Sequence, residues 1–72
     1  MWKYESPIGM LYIKYVPSKQ RYGFFFDDTC YECCNTPQEE ADNVYMRCTG
    51  CYEWDSADDP NCPADLSGWT IC

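Results

Sequence analysis

The sequence contains no histidine, only five basic residues and no long apolar run, and each absence narrows the range of functions. Without histidine, the Ser-His-Asp and Cys-His arrangements of hydrolytic enzymes cannot form within one chain. No segment approaches the roughly 18 apolar residues that a membrane-spanning helix needs. The first residues also lack an apolar stretch of signal-peptide length, which predicts a cytoplasmic protein that does not bind a membrane.

Charge is distributed unevenly along the 72 residues, whose net charge is −7. Residues 1–26 contain four basic side chains and one acidic side chain, a net charge of +3. Residues 27–72 contain eleven acidic side chains and Arg47, a net charge of −10. This balance disfavours nonspecific binding of nucleic acid and favours a basic protein surface as the partner. Solubility is the simpler explanation of the same acidic composition.

Cysteine, in contrast, is abundant. A domain of this size is only marginally stabilised by its core, and disulfides, a metal ion or oligomerisation commonly compensate. An odd number of cysteines fits a closed disulfide framework poorly, and thiols stay reduced in the cytosol. We therefore expect bound zinc in preference to disulfides. The seven residues are Cys30, Cys33, Cys34, Cys48, Cys51, Cys62 and Cys72.

Four of these cysteines form two C-x2-C pairs, Cys30 with Cys33 and Cys48 with Cys51. A two-residue separation lets one tight turn present both sulfur atoms to a tetrahedral zinc ion, and a second turn completes four thiolates. Gly50 suits such a turn because glycine adopts positive φ without strain. The arrangement resembles zinc ribbons and zinc knuckles, and this resemblance implies a structural, non-catalytic site.

The remaining cysteines leave alternatives open. Cys34 is a rival ligand to Cys33, because the sequence does not distinguish C-x2-C from C-x3-C. Cys62 and Cys72 could be buried thiols, a disulfide, or a second site completed by Cys34 and an acid such as Asp65.

Two catalytic alternatives use the same pairs. A C-x-x-C pair can cycle between dithiol and disulfide, so a thiol redox protein is one alternative function. Catalytic zinc of the cytidine-deaminase type is another, but the proline that precedes the C-x-x-C pair in that family is absent here.

The first 28 residues predict β-structure. Ser6-Pro7-Ile8-Gly9 has turn chemistry, and Met10–Val16 alternates between two faces without a breaker. Residues 17–20 form the next reversal, and Arg21–Phe26 forms the returning strand. Both faces of this hairpin are apolar, so we expect something to pack against each of them.

One part of this region resembles a known family. Tyr4–Leu11, followed by Gly23–Asp27, is similar to the opening hairpin of alkylguanine-DNA alkyltransferases. The resemblance implies the hairpin alone, because the catalytic Pro-Cys-His-Arg motif of that family is absent from this chain.

A short helix is expected after the first cysteines. Thr36 and Glu39 fit a capping box, and Pro37 suits the first helical position, which predicts a helix over residues 37–43. Val44–Arg47 then predicts a brief strand that leads into the second cysteine pair.

The predicted fold is a small α+β domain, mainly β, that comprises the whole chain. Residues 1–28 form the hairpin, and residues 29–52 form the four-cysteine, zinc-ribbon-like site with the short helix. Residues 53–72 form an irregular acidic segment that ends in a closing strand.

These patterns together predict a non-catalytic, zinc-stabilised interaction module. Its acidic face, with Asp55, Asp58 and Asp59 as contact residues, is expected to bind a basic protein. Such a module could inhibit a nucleic-acid-binding protein by mimicking phosphate charge. The alternative is a nucleic-acid-binding module, in which aromatic side chains stack on bases beside basic residues. The side chains for that function are Tyr12, Tyr15, Tyr22, Phe24, Lys14, Lys19 and Arg21.

Overall fold

A five-stranded antiparallel sheet dominates the computed structural model, which describes all 72 residues. Its order is β4-β3-β2-β1-β5, so β4 and β5 are the two edges. The prediction of a mainly β domain is therefore confirmed. The strands are β1 (Trp2–Ser6), β2 (Gly9–Val16), β3 (Arg21–Phe26), β4 (Thr29–Cys34) and β5 (Thr70–Ile71). The helices are α1 (Pro37–Tyr45), the single turn α2 (Tyr52–Asp55) and a 3-10 turn at Leu66–Gly68.

The β2–β3 hairpin forms as its alternating sequence predicts, with Ile13 opposite Phe24. Leu11, Ile13 and Phe24 are fully buried on one side of the sheet, which we call the covered face. The covered face packs against α1 and against the segment that follows it. The core comprises Leu11, Ile13, Phe24, Ala41, Val44, Cys51, Trp54, Cys62 and Trp69.

The opposite side of the sheet, which we call the open face, carries Tyr12, Lys14 and Phe25. All three keep partial exposure, so no second layer of this chain covers the open face. The Lys14 ammonium lies 4.3 Å from the centre of the Phe25 ring and 5.8 Å from that of Tyr12. The aliphatic stem of Lys14 covers part of the apolar surface of these rings, while its ammonium group stays in water. This contact takes the place of a second packed layer on the open face.

Strand β4 occupies the segment for which the sequence predicted a zinc knuckle. Asp27 and Asp28 both adopt positive φ, 52° and 63°, as the two central residues of a type I′ hairpin do. This tight reversal places Thr29–Cys34 directly beside β3, and the first cysteine pair therefore lies in an extended strand.

Helix α1 begins at the predicted cap and ends later than predicted. The Thr36 hydroxyl accepts a hydrogen bond from the Glu39 amide at 3.1 Å, and Pro37 is the first helical residue. The strand predicted for Val44–Arg47 is wrong, because Val44 is buried one turn after the buried Glu40 and Ala41 on the same helix face. Burial against the sheet thus outweighs the weak helix propensity of valine.

Replacing Thr36 by alanine is expected to destabilise the protein by about 1 kcal/mol, since an N-cap hydroxyl satisfies one of the free amides of the first turn. Urea unfolding followed by circular dichroism measures the change. Thr70→Ala, at an exposed strand position, is the matched control, and an equal loss in both variants would contradict the capping role.

The last strand closes the sheet as predicted. Trp2 pairs with Ile71 and Lys3 with Thr70, and the Cys72 amide donates to the Met1 carbonyl at 2.8 Å. None of the helices has the length and the apolar character that a membrane span needs.

Candidate metal centre

Strand β4 directs two potential metal ligands toward the covered face. Glu32 lies opposite the buried Phe24, and Cys34 lies opposite Tyr22, so both side chains point toward α1. Helix α1, which packs over this face, contributes Glu40. The ligand atoms of Glu32, Cys34 and Glu40 all lie within 4.8 Å of one another. We call this set the Glu-Cys-Glu cluster.

Burial leaves the oxygens of the cluster without hydrogen-bond partners. Glu40 is fully buried, and neither of its carboxylate oxygens accepts a hydrogen bond. The Oε1 atom of Glu32 is also buried and unpartnered. Buried polar atoms are satisfied in the great majority of cases, and an unsatisfied one costs about 1–3 kcal/mol. A cation between the two carboxylates would supply the missing partner for all three oxygens.

The protonation equilibria of the cluster reflect the same crowding. Burial, together with the neighbouring Glu32, raises the pKa of the Glu40 carboxyl from 4.5 to about 9. Burial, followed by the charge of Glu40, raises the pKa of the Cys34 thiol to about 12. Without a cation these groups hold protons, and a metal ion would bind by displacing them.

A further side chain of α1 supports the thiol. The Asn43 amide donates to the Cys34 sulfur over 3.4 Å. Glu40 and Asn43 are three residues apart and so lie on the same side of the helix. A hydrogen bond of this kind orients a ligand and fixes its position relative to a metal ion.

The structure does not bring together the four cysteines of the predicted zinc site. Cys30 and Cys33 lie on the open face, with their sulfur atoms 3.8 Å apart. Cys51 is fully buried in the core and Cys48 is exposed beyond the end of α1. The two pairs are therefore on different sides of the sheet, and the tetrathiolate is not assembled.

The second pair does form the predicted tight turn, with Gly50 at a φ of 81°. The backbone amides of this turn bind a carboxylate. Asp55 accepts from the Thr49 amide at 3.1 Å and from the Gly50 amide at 3.0 Å. The turn is thus stabilised within the chain, with Cys51 buried in the core and Cys48 exposed.

The other cysteines are also separated. Cys34, the predicted rival of Cys33, is the one cysteine of the Glu-Cys-Glu cluster. Cys62 is buried in the core, and Cys72 follows β5 at the opposite edge of the sheet from β4. Asp65 caps the 3-10 turn by accepting from the Ser67 amide at 2.9 Å. The alternative second site is therefore not assembled either.

Two of the three acidic residues predicted to contact a partner bind other groups of the same chain. Asp55 binds the turn described above, and Asp59 is only 6% exposed. The Tyr4 hydroxyl and the Asn61 amide both donate to Asp59. Burial, followed by this hydrogen bond to Asp59, raises the pKa of Tyr4. Asp58 alone is exposed and free to contact a partner.

Cys30, the first thiol of the open-face pair, lacks the lowered pKa that is typical of reactive C-x-x-C cysteines. Burial and the adjacent Cys33 raise the pKa of Cys30, whereas reactive cysteines in C-x-x-C motifs have lowered values. The one surface pocket, of about 450 Å³, contains none of the cysteines. Its lining residues are Ile8, Gly9, Met10, Tyr12, Phe26, Asp27 and Asp28.

Comparison with protein-family models, with curated proteins and with solved structures finds no match to this chain. The resemblances to zinc ribbons and to the alkyltransferase hairpin therefore stay predictions. The Glu-Cys-Glu cluster is the one group of three ligating side chains that the structure brings together.

Proposed function

We propose that this protein is a non-catalytic interaction module whose fold is stabilised by a zinc ion in the Glu-Cys-Glu cluster. The observation that carries the proposal is the fully buried Glu40 carboxylate without a hydrogen-bond partner. The cluster joins β4 to α1, so an ion there would link the edge of the sheet to the helix that covers it. Such a link suits a small domain whose core alone gives limited stability.

The donor set favours zinc over other common ions. Magnesium and calcium prefer oxygen ligands throughout, and copper(I) prefers sulfur. Zinc accepts both thiolate and carboxylate, at about 2.3 Å and 2.0–2.2 Å. Glu32, Cys34 and Glu40 would supply three ligands, and a water molecule would supply the fourth.

A zinc titration with two cysteine variants tests the metal site. Zinc at a hundredfold excess over its dissociation constant is expected to stabilise the wild type by about 2.7 kcal/mol. This corresponds to a rise in Tm of roughly 10–20 °C for a domain of this size. Cys34→Ser should lose the rise and Cys48→Ser should keep it. Loss of the rise in Cys48→Ser, with the rise kept in Cys34→Ser, would instead support the tetrathiolate site.

The acidic half of the chain supports a basic protein as the partner. Its one cation, Arg47, donates to four backbone carbonyls and so is held within the fold. Glu39 and Asp42 are exposed and three residues apart, so they lie on one side of α1. Glu53 and Asp58 are also exposed. If the partner binds nucleic acid, these carboxylates would occupy its phosphate positions and inhibit it.

Charge reversal on α1 tests the docking surface. Glu39→Lys combined with Asp42→Lys is expected to weaken binding to a polylysine or protamine surface at least tenfold at low salt, because rim charges act through long-range attraction. Asp27→Lys combined with Asp28→Lys changes the net charge equally at the β3–β4 turn and serves as the control. Equal weakening by both pairs would show that net charge, and no particular surface, governs binding.

The open face favours a second candidate function, the binding of single-stranded nucleic acid. Tyr12 and Phe25 are its partly exposed aromatic rings, with Lys14 beside both and Arg21 at the end of β3. Tyr15, Tyr22 and Phe24, which the sequence also suggested for base stacking, lie on the covered face, where Phe24 is fully buried. Lys14→Glu should abolish oligonucleotide binding measured by fluorescence anisotropy, whereas Glu39→Lys should not reduce it.

A further inference from the structure

The two thiols on the open face are brought together by an irregularity in β4. In a regular strand, residues three apart point to opposite faces. The register of β4 against β3 shifts between Cys30 and Glu32, so Tyr31 is an extra residue and the strand contains a β-bulge. The bulge places Cys30 and Cys33 on the same face, with their sulfur atoms 3.8 Å apart.

This separation fits two thiolates on one zinc ion. With Zn–S bonds of about 2.3 Å and tetrahedral angles, two sulfur ligands lie about 3.8 Å apart. A disulfide would require about 2.05 Å, so these sulfur atoms are in contact without being bonded. Gly23 provides the space for them, because a Cβ atom there would lie 3.0 Å from the Cys30 sulfur.

The chain itself supplies no further ligands at this position. The one group of three or more ligating side chains is the Glu-Cys-Glu cluster, which lies on the covered face. A structural zinc ion is almost always four-coordinate, so two ligands have to come from another molecule. Strand β4 is an edge of the sheet, and its outer side is unpaired and accessible to a second chain.

We propose that Cys30 and Cys33 bind a zinc ion that is shared with the same two cysteines of a second copy of this chain. A two-fold axis presents the same surface twice, so one pair from each chain completes four thiolates. Four thiolates on one zinc ion carry a net negative charge. Lys14 lies over Phe25, the residue opposite Cys30, and its ammonium offsets part of that charge.

Native mass spectrometry and light scattering in the presence of a non-thiol reductant test this proposal. Zinc is expected to convert the wild type from monomer to dimer, with one additional zinc ion per pair of chains, and a chelator should reverse the change. Cys30→Ser and Cys33→Ser should each remain monomeric at the same zinc concentration. Cys72→Ser, which removes another exposed cysteine, should dimerise like the wild type.

Cobalt substitution gives a readout that does not depend on mass. A four-thiolate cobalt site absorbs much more strongly in its sulfur-to-metal bands than a site with one thiolate. Cys30→Ser should lose the strong bands, and circular dichroism of the same sample verifies that the variant is folded. Glu40→Gln should retain both the dimer and the strong bands, so failure of the covered-face site and failure of this site are distinguishable.

Three results would overturn the proposal. One is a zinc-loaded wild type that stays monomeric at every concentration. Another is a dimer that persists after chelation or in Cys30→Ser. The third is a Cys30–Cys33 disulfide in the dimer isolated under reducing conditions, because an oxidised pair cannot bind zinc.

Discussion

Replacing Arg47 by alanine is expected to destabilise the protein by about 3–4 kcal/mol. Its guanidinium donates to the carbonyls of Val44 and Tyr45 in α1, and to those of Ala57 and Asp59 in the following segment. The Val44 and Asp59 carbonyls keep other donors, the Trp54 indole and the Cys62 amide. The Tyr45 and Ala57 carbonyls lose theirs, and each costs about 1–3 kcal/mol if it stays buried, although such losses are not additive. A domain of this length has a total stability of roughly 4–11 kcal/mol, so the variant should be close to unfolding.

The aromatic contact of Arg47 contributes to the same loss. The guanidinium lies 4.3 Å from the centre of the Trp54 ring, and the Trp54 indole nitrogen donates to the Val44 carbonyl at 2.8 Å. Arg47 therefore holds the end of α1, the core tryptophan and the segment 57–59 in one arrangement. A cation over a desolvated ring contributes about 2 kcal/mol or less.

Arg21→Ala and Arg47→Lys are the controls for this prediction. Arg21 is exposed in β3 and forms no side-chain hydrogen bond, so its loss should change the free energy of unfolding by less than about 0.5 kcal/mol. Lysine keeps the charge but lacks the planar fork of five donors, and Arg47→Lys should recover only part of the loss. Urea unfolding measures all three variants. Full recovery by lysine would show that charge alone, and no directed hydrogen bond, is what matters at this position.

The elements that follow from local chemistry could be predicted from the sequence. The alternation of Met10–Val16, the turn residues around Pro7 and the capping box at Thr36 each act within a few residues, and each is present in the structure. The closing strand was also predicted, since its sequence is typical of a strand. The C-x2-C spacing predicts a turn at Cys30–Cys33, but the two-residue reversal at Asp27 and Asp28 places this segment in strand β4.

The ligands of the Glu-Cys-Glu cluster could not be predicted in the same way. Glu32 and Cys34 alternate as residues of one strand face do, but that face is defined only once β4 is paired with β3. Glu40 lies within an acidic first turn, where a solvated, dipole-stabilising role is the usual one. Its burial depends on the packing of α1 against the sheet. The available signal was its position beside Ala41 and four residues before Val44, on the apolar side of the helix.

The predicted cysteine site illustrates the limit of a spacing argument. Two residues between cysteines permit one turn to present both sulfur atoms, but nearby groups compete for the same backbone. Asp55 binds the amides of the second pair, and the β-bulge at Tyr31 turns the first pair to the open face. Neither Asp55 nor the β-bulge at Tyr31 is part of the C-x2-C pattern itself.

Replacing Glu40 by glutamine is expected to have opposite effects with and without zinc. In the metal-free protein the variant should be more stable than the wild type by about 1–3 kcal/mol at neutral pH, because the wild type gains free energy on unfolding by releasing the Glu40 proton, whereas the neutral amide has no proton to release. The new amide can also donate to the unpartnered Oε1 atom of Glu32. In zinc, the variant should lose the stabilisation of about 2.7 kcal/mol expected for the wild type, because a neutral amide replaces an anionic ligand.

The pH dependence of the free energy of unfolding in the metal-free proteins gives an independent measure of the effect of Glu40. The pKa of Glu40 is raised in the folded state from 4.5 to about 9, so the folded state binds this proton more tightly than the unfolded state. The stabilisation from the proton is complete below about pH 4.5 and is lost as the pH rises toward 9. The advantage of Glu40→Gln over the wild type should therefore grow between about pH 5 and pH 8. Denaturant unfolding at a series of pH values measures it.

With zinc bound, the stability of the wild type should instead increase as the pH rises. Zinc displaces protons from the carboxyl and thiol ligands, so its stabilising effect increases as the pH rises over the same interval. Glu39→Gln, at an exposed position of the same helix, is the matched control and should follow the wild type with and without zinc. If the two variants respond alike to zinc, and Glu40→Gln alone is more stable without it, the cluster binds no metal ion and the buried carboxyl is a purely destabilising feature of α1.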